Sequence, residues 1–434
     1  MIMTRKTFLR PFGRVALAVL LLALASSTFA ARLPQAKPSE VGLSADRLAR
    51  IDRVMQEYVD KGKVPGVVAL VVRDGKAAYL KSFGKLDLGR GTAMPVDGIF
   101  RIASQSKALT SVAVMTLVEE GRLGLAEPVS RYIPEFKDSK VALAGADKGS
   151  QGYVLVPARR EITIRDLLTH TAGISYGDGP ASDLYKAAGV YGWSFTAKDA
   201  AIGECIRKLG RLPFDSQPGE KFVYGFNTDI LGYVVEVVSG MSLADYIKTR
   251  ITDPLGMTDT SFFLPEAKAG RFATVYGVNK DGRLDLVEDG LESPYVKGPR
   301  RCYSGGAGLV ATAEDYARFL QMLANGGQLD GVRILSPKTV EVMTANQTGD
   351  LYTSPGQGFG LGFWVTRDLG RTGEMGSVGA FGWGGAYYTT YWVDPVEHLV
   401  AVFMTQLLPA TGSDAQAKFK ALVYQSIIES YEKR

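Results

Sequence analysis

Apolar positions recur every three to four residues after Ser44. Leu48, Ile51, Met55 and Tyr58 share one face, which predicts a helix capped by Ser44 and ending near Lys61-Gly62. The pattern then turns extended. Val67 to Arg73 and Lys76 to Phe83 read as strands, with Asp74-Gly75 as the hairpin turn between them. Ile99 to Ala103 leads into a helix opening at Ser104. Its Ala108, Leu109, Val112, Val114, Met115, Leu117 and Val118 are apolar on nearly every side, so this helix is expected to be buried. The middle of the chain reads as helices separated by long loops. Thr163 caps Ile164 to Thr169, with Asp166 at the third helical position. Thr228 to Ser239 ends at Gly240, Ser242 opens a helix running to Pro254, and Thr312 opens Ala313 to Asn325. The polar, glycine-rich stretch from Phe136 to Glu161 reads as an insertion loop. Strand patterns return in Phe359 to Thr366, Ala386 to Val393 and His398 to Gln406, the last two joined by a turn at Asp394-Pro395-Val396-Glu397. A final helix is expected from Asp414 to Glu432.

Strands at both ends and helices between them predict an α+β fold. Its antiparallel sheet is built from both termini, flanked by the first and last helices, with a helical lobe inserted. The expected α/β lobe covers about 40–105 and 305–434, and the helical lobe about 106–304. No Pro/Ser-rich linker divides the chain, so 31–434 is expected to form a single catalytic domain. Ser104 falls at the lobe boundary, where clefts form.

Residues 1–30 read as a cleaved secretory signal. Arg5, Lys6, Arg10 and Arg14 precede an apolar core, Val15 to Ala25, and Thr28-Phe29-Ala30 supplies the small residues of a cleavage site. The expected location is periplasmic or secreted. No cysteine follows the apolar core, which speaks against a lipoprotein anchor, and no stable membrane anchor is expected. The formal charge of +5 includes the four basic leader residues, so the remainder carries about +1. That gives no basic surplus for nucleic acid or anionic membranes. The two histidines, His170 and His398, and two cysteines, Cys205 and Cys302, lack zinc-site spacing, and neither metal nor cofactor is implied. An exported chain permits a Cys205–Cys302 disulfide, whose geometry the sequence leaves open.

Ser104-Gln105-Ser106-Lys107 puts a hydroxyl and an amine one helical turn apart on one face. A serine hydroxyl needs a base beside it to act as a nucleophile. A buried lysine is expected to serve, because low dielectric disfavours its ammonium form. The plain structural alternative is a helix N-cap followed by a surface lysine. A second match, Ser82-Phe83-Gly84-Lys85, lies in a strand pattern and reads as coincidence.

Two further segments follow in order, Tyr224-Gly225-Phe226-Asn227-Thr228-Asp229 and Trp383-Gly384-Gly385-Ala386. Together the three resemble the motifs of the serine β-lactamase and penicillin-binding protein superfamily, and most of all the class C-related family VIII carboxylesterases. Leu167 to Gly173, Gly305-Gly306-Ala307-Gly308-Leu309 and Phe359 to Phe363 extend the likeness over nearly the whole chain after the leader. The resemblance implies a β-lactamase/transpeptidase-like fold and an acyl-enzyme. Ser104 would be the nucleophile, Lys107 and Tyr224 would be base and proton relay, and the N–H groups of Ser104 and Ala386 would form the oxyanion hole.

Two departures qualify it. Trp383-Gly384-Gly385 stands where the lactamases carry a Lys-Thr-Gly-type triplet, so an apolar wall replaces a cation that would meet a substrate carboxylate. That points to small-molecule uncharged esters, with Trp383, Gly384 and Gly385 against the substrate and the glycines letting the strand backbone approach it. A β-lactamase, a D-amino-acid-directed peptidase or an acyltransferase on the same fold is the alternative, and a non-catalytic penicillin-recognising sensor a more distant one. Asn227 stands one residue beyond the class C position and reads as the N-cap of the next helix. A rival nucleophile is Ser175, in Gly173-Ile174-Ser175-Tyr176-Gly177, with Asp394 and His398 downstream. Its context is wrong, because a helix precedes it and a loop follows. His398 is expected at a solvated turn, and His170 in a structural role.

Overall fold

A computed structural model describes residues 32–145 and 152–432. The leader assigned to 1–30 lies outside the described residues. Eight antiparallel strands form one sheet. From edge to edge they are Gln357–Phe359, Trp364–Thr366, Phe381–Gly385, Thr389–Asp394, Leu399–Met404, Gly66–Arg73, Lys76–Asp87 and Thr92–Ala93. The sheet therefore joins the two ends of the chain, as the pattern predicted. Its seam pairs Val68 with Met404 and Val72 with Val400.

Gly66–Arg73 is buried along its whole length because both of its faces are covered. Val67, Ala69 and Val71 pack with Leu48, Ile51 and Met55 of the Ala45–Asp60 helix and with Phe419 and Val423 of the Ala415–Tyr424 helix. Val68, Leu70 and Val72 face the larger core shared with the Ser106–Glu119, Asn227–Ser239 and Ala313–Ala324 helices. Each such valine or leucine contributes roughly 1.5–3 kcal/mol of burial. Local signals set the boundaries. Asp74 and Gly75 both take positive φ, 52° and 72°, as a tight hairpin turn requires. Ser44, Thr163, Ser242 and Thr312 each accept a backbone N–H as caps. Gly240 closes its helix at φ 75°.

Five sequence expectations change. Phe359 to Thr366 is two strands, because the chain reverses through Gly360–Phe363, with Gly362 at φ 106°. The strand expected from Ala386 begins at Thr389. Ala386 to Tyr388 is the turn from Phe381–Gly385, and Tyr388 takes φ 65°. The stretch expected as a loop holds a hairpin, Lys140–Ala144 with Tyr153–Pro157, extended by Phe214, whose carbonyl accepts from the Ala142 amide and whose amide donates to the Lys140 carbonyl. The helix opened by Ser242 widens to a π-turn from Lys248 to Thr252. The last helix stops at Tyr424, since Ser426 turns its carbonyl to the Ser44 amide and Ile427 bridges Leu43. Cys205 and Cys302 are both buried and unbonded. Among the described residues, no single helix is long and apolar enough to cross a membrane.

Candidate active site

The strand Phe100–Arg101 pairs with Val310–Ala311, and the next amide, Ile102, donates to the Leu309 carbonyl at 3.1 Å. Ala103 then takes φ 42°, which costs an L-residue roughly 1–2 kcal/mol. Ser104 follows in a 3-10 turn, Ala103–Gln105, that runs into the Ser106–Glu119 helix. The turn is pinned from two sides: Ser106 Oγ accepts from the Leu309 amide at 3.0 Å, and the Gln105 carbonyl accepts from Tyr316 at 2.9 Å. No side-chain cap is made at this helix start, so the plain N-cap reading of Ser104 does not hold.

Lys107 is buried beneath Ser104. Its Nζ meets three acceptors, Ser104 Oγ at 3.3 Å, Tyr176 Oη at 3.0 Å and the Gly306 carbonyl at 2.8 Å. It also lies 4.7 Å from the centre of the Tyr224 ring. Three acceptors match the three N–H groups of an ammonium. Burial pulls the Lys107 pKa down, as the sequence suggested, but Tyr176, Tyr224 and Asp229 outweigh it, and the net direction is up. The expectation that burial lowers the Lys107 pKa is therefore corrected: the net direction is up, toward the ammonium form. Sequence spacing could not show this, because the three opposing groups arrive from distant segments.

Tyr224 stands beside Lys107 because its loop packs tightly on the loop before it. A Cβ at Gly225 would come within 2.3 Å of the Ile174 carbonyl oxygen. The Tyr224 ring is held between His170, at 4.7 Å between centroids, and Trp383, at 5.4 Å. Trp383 Nε1 donates to the Tyr224 oxygen at 3.0 Å. Trp383 is thus a partner of Tyr224 as well as a wall.

Gly385 has a different purpose from the one expected. A Cβ there would lie 2.4 Å from the Ile102 carbonyl oxygen and 2.4 Å from Thr389 Oγ1, so the missing side chain lets the strand dock on the turn that carries Ser104. The same Cβ at Gly384 would meet only the Thr389 carbonyl oxygen, at 3.1 Å. Ala386 follows this strand, is exposed, and lines the same cavity as Ser104.

A cavity of about 530 Å³ opens over these residues. Ser104, Tyr176, Tyr224, Trp193, Trp364, Trp383, Gly384, Ala386, Thr390 and Gln416 line it, and none of these residues is Asp, Glu, His, Lys or Arg. A larger cavity, about 690 Å³, lies elsewhere, with Ser261 and Lys268 in its wall. There Ser261 donates to the Phe263 carbonyl and Lys268 to the Thr258 carbonyl, so the two are not paired with each other.

Tyr176 is the site residue missed in the sequence. It belongs to the Gly-x-Ser-x-Gly match, whose serine drew attention away from its neighbour. Ser175 itself is buried, accepts from the Gly177 amide at 3.1 Å and does not line the cavity. His398 sits at the exposed hairpin turn, 3.2 Å from Asp74. His170 is buried and packed on Tyr224, and burial, then Lys107, hold its pKa well below the ordinary value. Asn227 is neither a cap nor a cavity residue. It is the first residue of its helix, is fully buried, and its Nδ2 reaches His170 Nδ1 at 2.9 Å, Ile174 O at 3.1 Å and Val223 O at 3.2 Å.

Known proteins resemble this chain in sequence and fold. The family model described as Beta-lactamase matches residues 51–425. A protein of Mycobacterium tuberculosis, Uncharacterized protein MT1414, is 35% identical over 382 residues, 84% of this chain and 91% of its own length. Esterase EstB of Burkholderia gladioli is 32% identical over 391 residues, 85% of this chain and 93% of its own. Among solved structures, EstCE1, titled a hydrolase with promiscuous acyltransferase activity, superposes with a TM-score of 0.74 at 28% identity, covering 88% of this chain and 99% of that one. The sheet built from both ends and the match over most of the sequence agree: the chain belongs to the Beta-lactamase family, with the β-lactamase/transpeptidase-like fold of the serine β-lactamase and penicillin-binding protein superfamily.

Proposed function

We propose that this protein is an exported serine hydrolase that cleaves uncharged carboxylic esters through an acyl-enzyme on Ser104. The observation that carries the reading is the buried Lys107 Nζ, held by three partners, one of which is Ser104 Oγ. In the reacting form Lys107 is the ammonium and Tyr224 the phenolate, its oxygen held by the Trp383 N–H. Ser104 Oγ attacks the ester carbonyl carbon and its proton passes to Tyr224. The carbonyl oxygen becomes an oxyanion facing the Ser104 and Ala386 amides, donors whose loss in acyl-transfer sites costs about 10²–10³ in rate. Collapse breaks the bond to the alcohol, which leaves with the proton from Tyr224. Water then repeats the cycle on the acyl-enzyme, and an alcohol or amine in its place would give acyl transfer.

The aromatic lining supports esters over carboxylate-bearing β-lactams or peptide C-termini, since no Lys, Arg or His lies among the lining residues to meet a carboxylate. Similarity to a relative named an esterase supports the same choice. The test is hydrolysis of p-nitrophenyl butyrate, nitrocefin and a D-Ala-D-Ala peptide by one preparation. The ester should turn over with the highest kcat/KM. Faster nitrocefin or peptide turnover would replace the esterase reading, and stable acylation without turnover would make the protein a sensor.

A further inference from the structure

Behind Lys107 lies a carboxylate that the reaction as written does not use. Asp229, on the first turns of the Asn227–Ser239 helix, is fully buried. Its Oδ1 accepts from Ser304 Oγ at 2.6 Å and from the Gly306 amide at 3.1 Å, while Oδ2 has no hydrogen-bond partner. The Ser304–Gly306 turn is wedged between two helices. The Gly305 carbonyl accepts from Thr110 Oγ1 at 2.8 Å, and a Cβ on Gly306 would lie 2.3 Å from Asp229 Oδ2. That turn presents the Gly306 carbonyl to Lys107 Nζ. An isolated buried carboxylate is costly unless paired or neutralised: burial raises the Asp229 pKa, and Lys107, Ser304 and the Gly306 amide oppose that rise, so the charges of Asp229 and Lys107 support each other.

We propose that Asp229 is a positioning residue for Lys107. Through Ser304 and Gly306 its carboxylate fixes the carbonyl that receives the ammonium, and its charge keeps Lys107 protonated during turnover. This rests on the reading of Ser104 and Lys107 given above. The other groups facing Lys107 are Tyr176 and His170 from the loops before the helix, and Tyr224. Those facing Asp229 are Lys107, Ser304, Tyr176 and the Cys302 thiol. Asp229 is the one carboxylate in this set. Removing its charge disfavours the ammonium and lowers the pKa of Lys107. A reaction that needs the ammonium then fails at high pH.

The test is the pH profile of kcat/KM for p-nitrophenyl butyrate in wild type, Asp229→Asn, Ser304→Ala and Ser104→Ala, with folding followed by circular dichroism. Asp229→Asn is expected to lose about tenfold near neutral pH and to gain an alkaline limb below pH ~10, absent in wild type. Ser304→Ala, which keeps the charge and loses one donor to it, is expected to shift the limb less, and it carries the test if Asp229→Asn does not fold. A uniform loss with profiles parallel to wild type would overturn the proposal, since a merely structural carboxylate would move no limb. Ser104→Ala separates the two levels. If it stays active, the reading of the site fails. If it is dead while the Asp229→Asn and Ser304→Ala profiles parallel wild type, only the role of Asp229 fails.

Discussion

Gly385→Ala changes one hydrogen to a methyl and tests whether strand docking sets the geometry of the site. The added carbon would sit 2.4 Å from the Ile102 carbonyl oxygen, about 0.9 Å inside the ~3.3 Å at which carbon and carbonyl oxygen normally meet. Thr389 Oγ1, also at 2.4 Å, blocks the other direction. Both neighbours are short of room, and Ile102 is tied by its amide to Leu309. The strand must therefore move away from the Ser104 turn by a sizeable part of an ångström. Overpacking of this kind costs about 1–3 kcal/mol of stability. The catalytic cost is larger, because the proposed Ala386 donor lies on the next residue. A misplacement near 1 Å costs about 10²-fold, or ~2.7 kcal/mol of barrier. The assay is kcat and KM for p-nitrophenyl butyrate at a temperature where circular dichroism shows the variant folded. The fall should appear in kcat, with KM little changed. Gly384→Ala, whose Cβ would meet only one carbonyl oxygen at 3.1 Å, should lose markedly less. Near-wild-type kcat in folded Gly385→Ala, or an equal loss in both variants, would refute the docking argument.

Other substitutions address the proton pathway and the scaffold. Trp383→Phe keeps the aromatic wall but removes the N–H that reaches Tyr224; a hydrogen bond of about 0.5–1.5 kcal/mol predicts a two- to tenfold lower kcat/KM with a melting temperature lowered by no more than a few degrees. Lys107→Ala removes the ammonium and strands its three acceptors, so ester turnover should fall about 10³-fold or more in a protein still folded by circular dichroism. Asp166→Asn weakens the capping box and the Arg160 pair. Burial raises the Asp166 pKa, but Arg160 and Thr163 outweigh it and hold the carboxyl below the usual range. A depressed carboxylate stabilises above its unfolded pKa and loses that contribution as pH falls through the folded value. Thermal melts should therefore show a deficit of about 1 kcal/mol at pH 7 that closes as pH falls below the ordinary carboxylate range.

Where structure follows from neighbouring residues, the sequence was legible. The Asp74-Gly75 hairpin needs two positive φ angles and names the residues that tolerate them. Ser44, Thr163, Ser242 and Thr312 mark helix starts through contacts three residues away. Ser104 and Lys107 meet because one helical turn brings them together. The sheet joining both ends followed from the placement of strand patterns. What the sequence hid depends on contacts between distant segments. Tyr176 reaches Lys107 from a loop, and the state of Lys107 depends on Tyr176, Tyr224 and Asp229 together. Asn227 had the composition of a cap, yet His170, Ile174 and Val223 hold its buried side chain. Phe359 to Thr366 read as one apolar strand because nothing in the run except its glycines marks the reversal at Gly362. The final helix ends early for a long-range reason, the pairing of the segment after Tyr424 with Leu43 and Ser44.

The central claim is that Ser104 carries the acyl group. The most direct measurement is mass spectrometry of proteolytic peptides after labelling with diethyl p-nitrophenyl phosphate, a reagent that phosphorylates an activated serine. The wild type should lose ester hydrolysis in step with stoichiometric label on the peptide holding Ser104. Ser175→Ala should be labelled in the same way, and Ser104→Ala should take no label and show no turnover. Label on the Ser175 peptide, or undiminished hydrolysis by Ser104→Ala, would contradict the account.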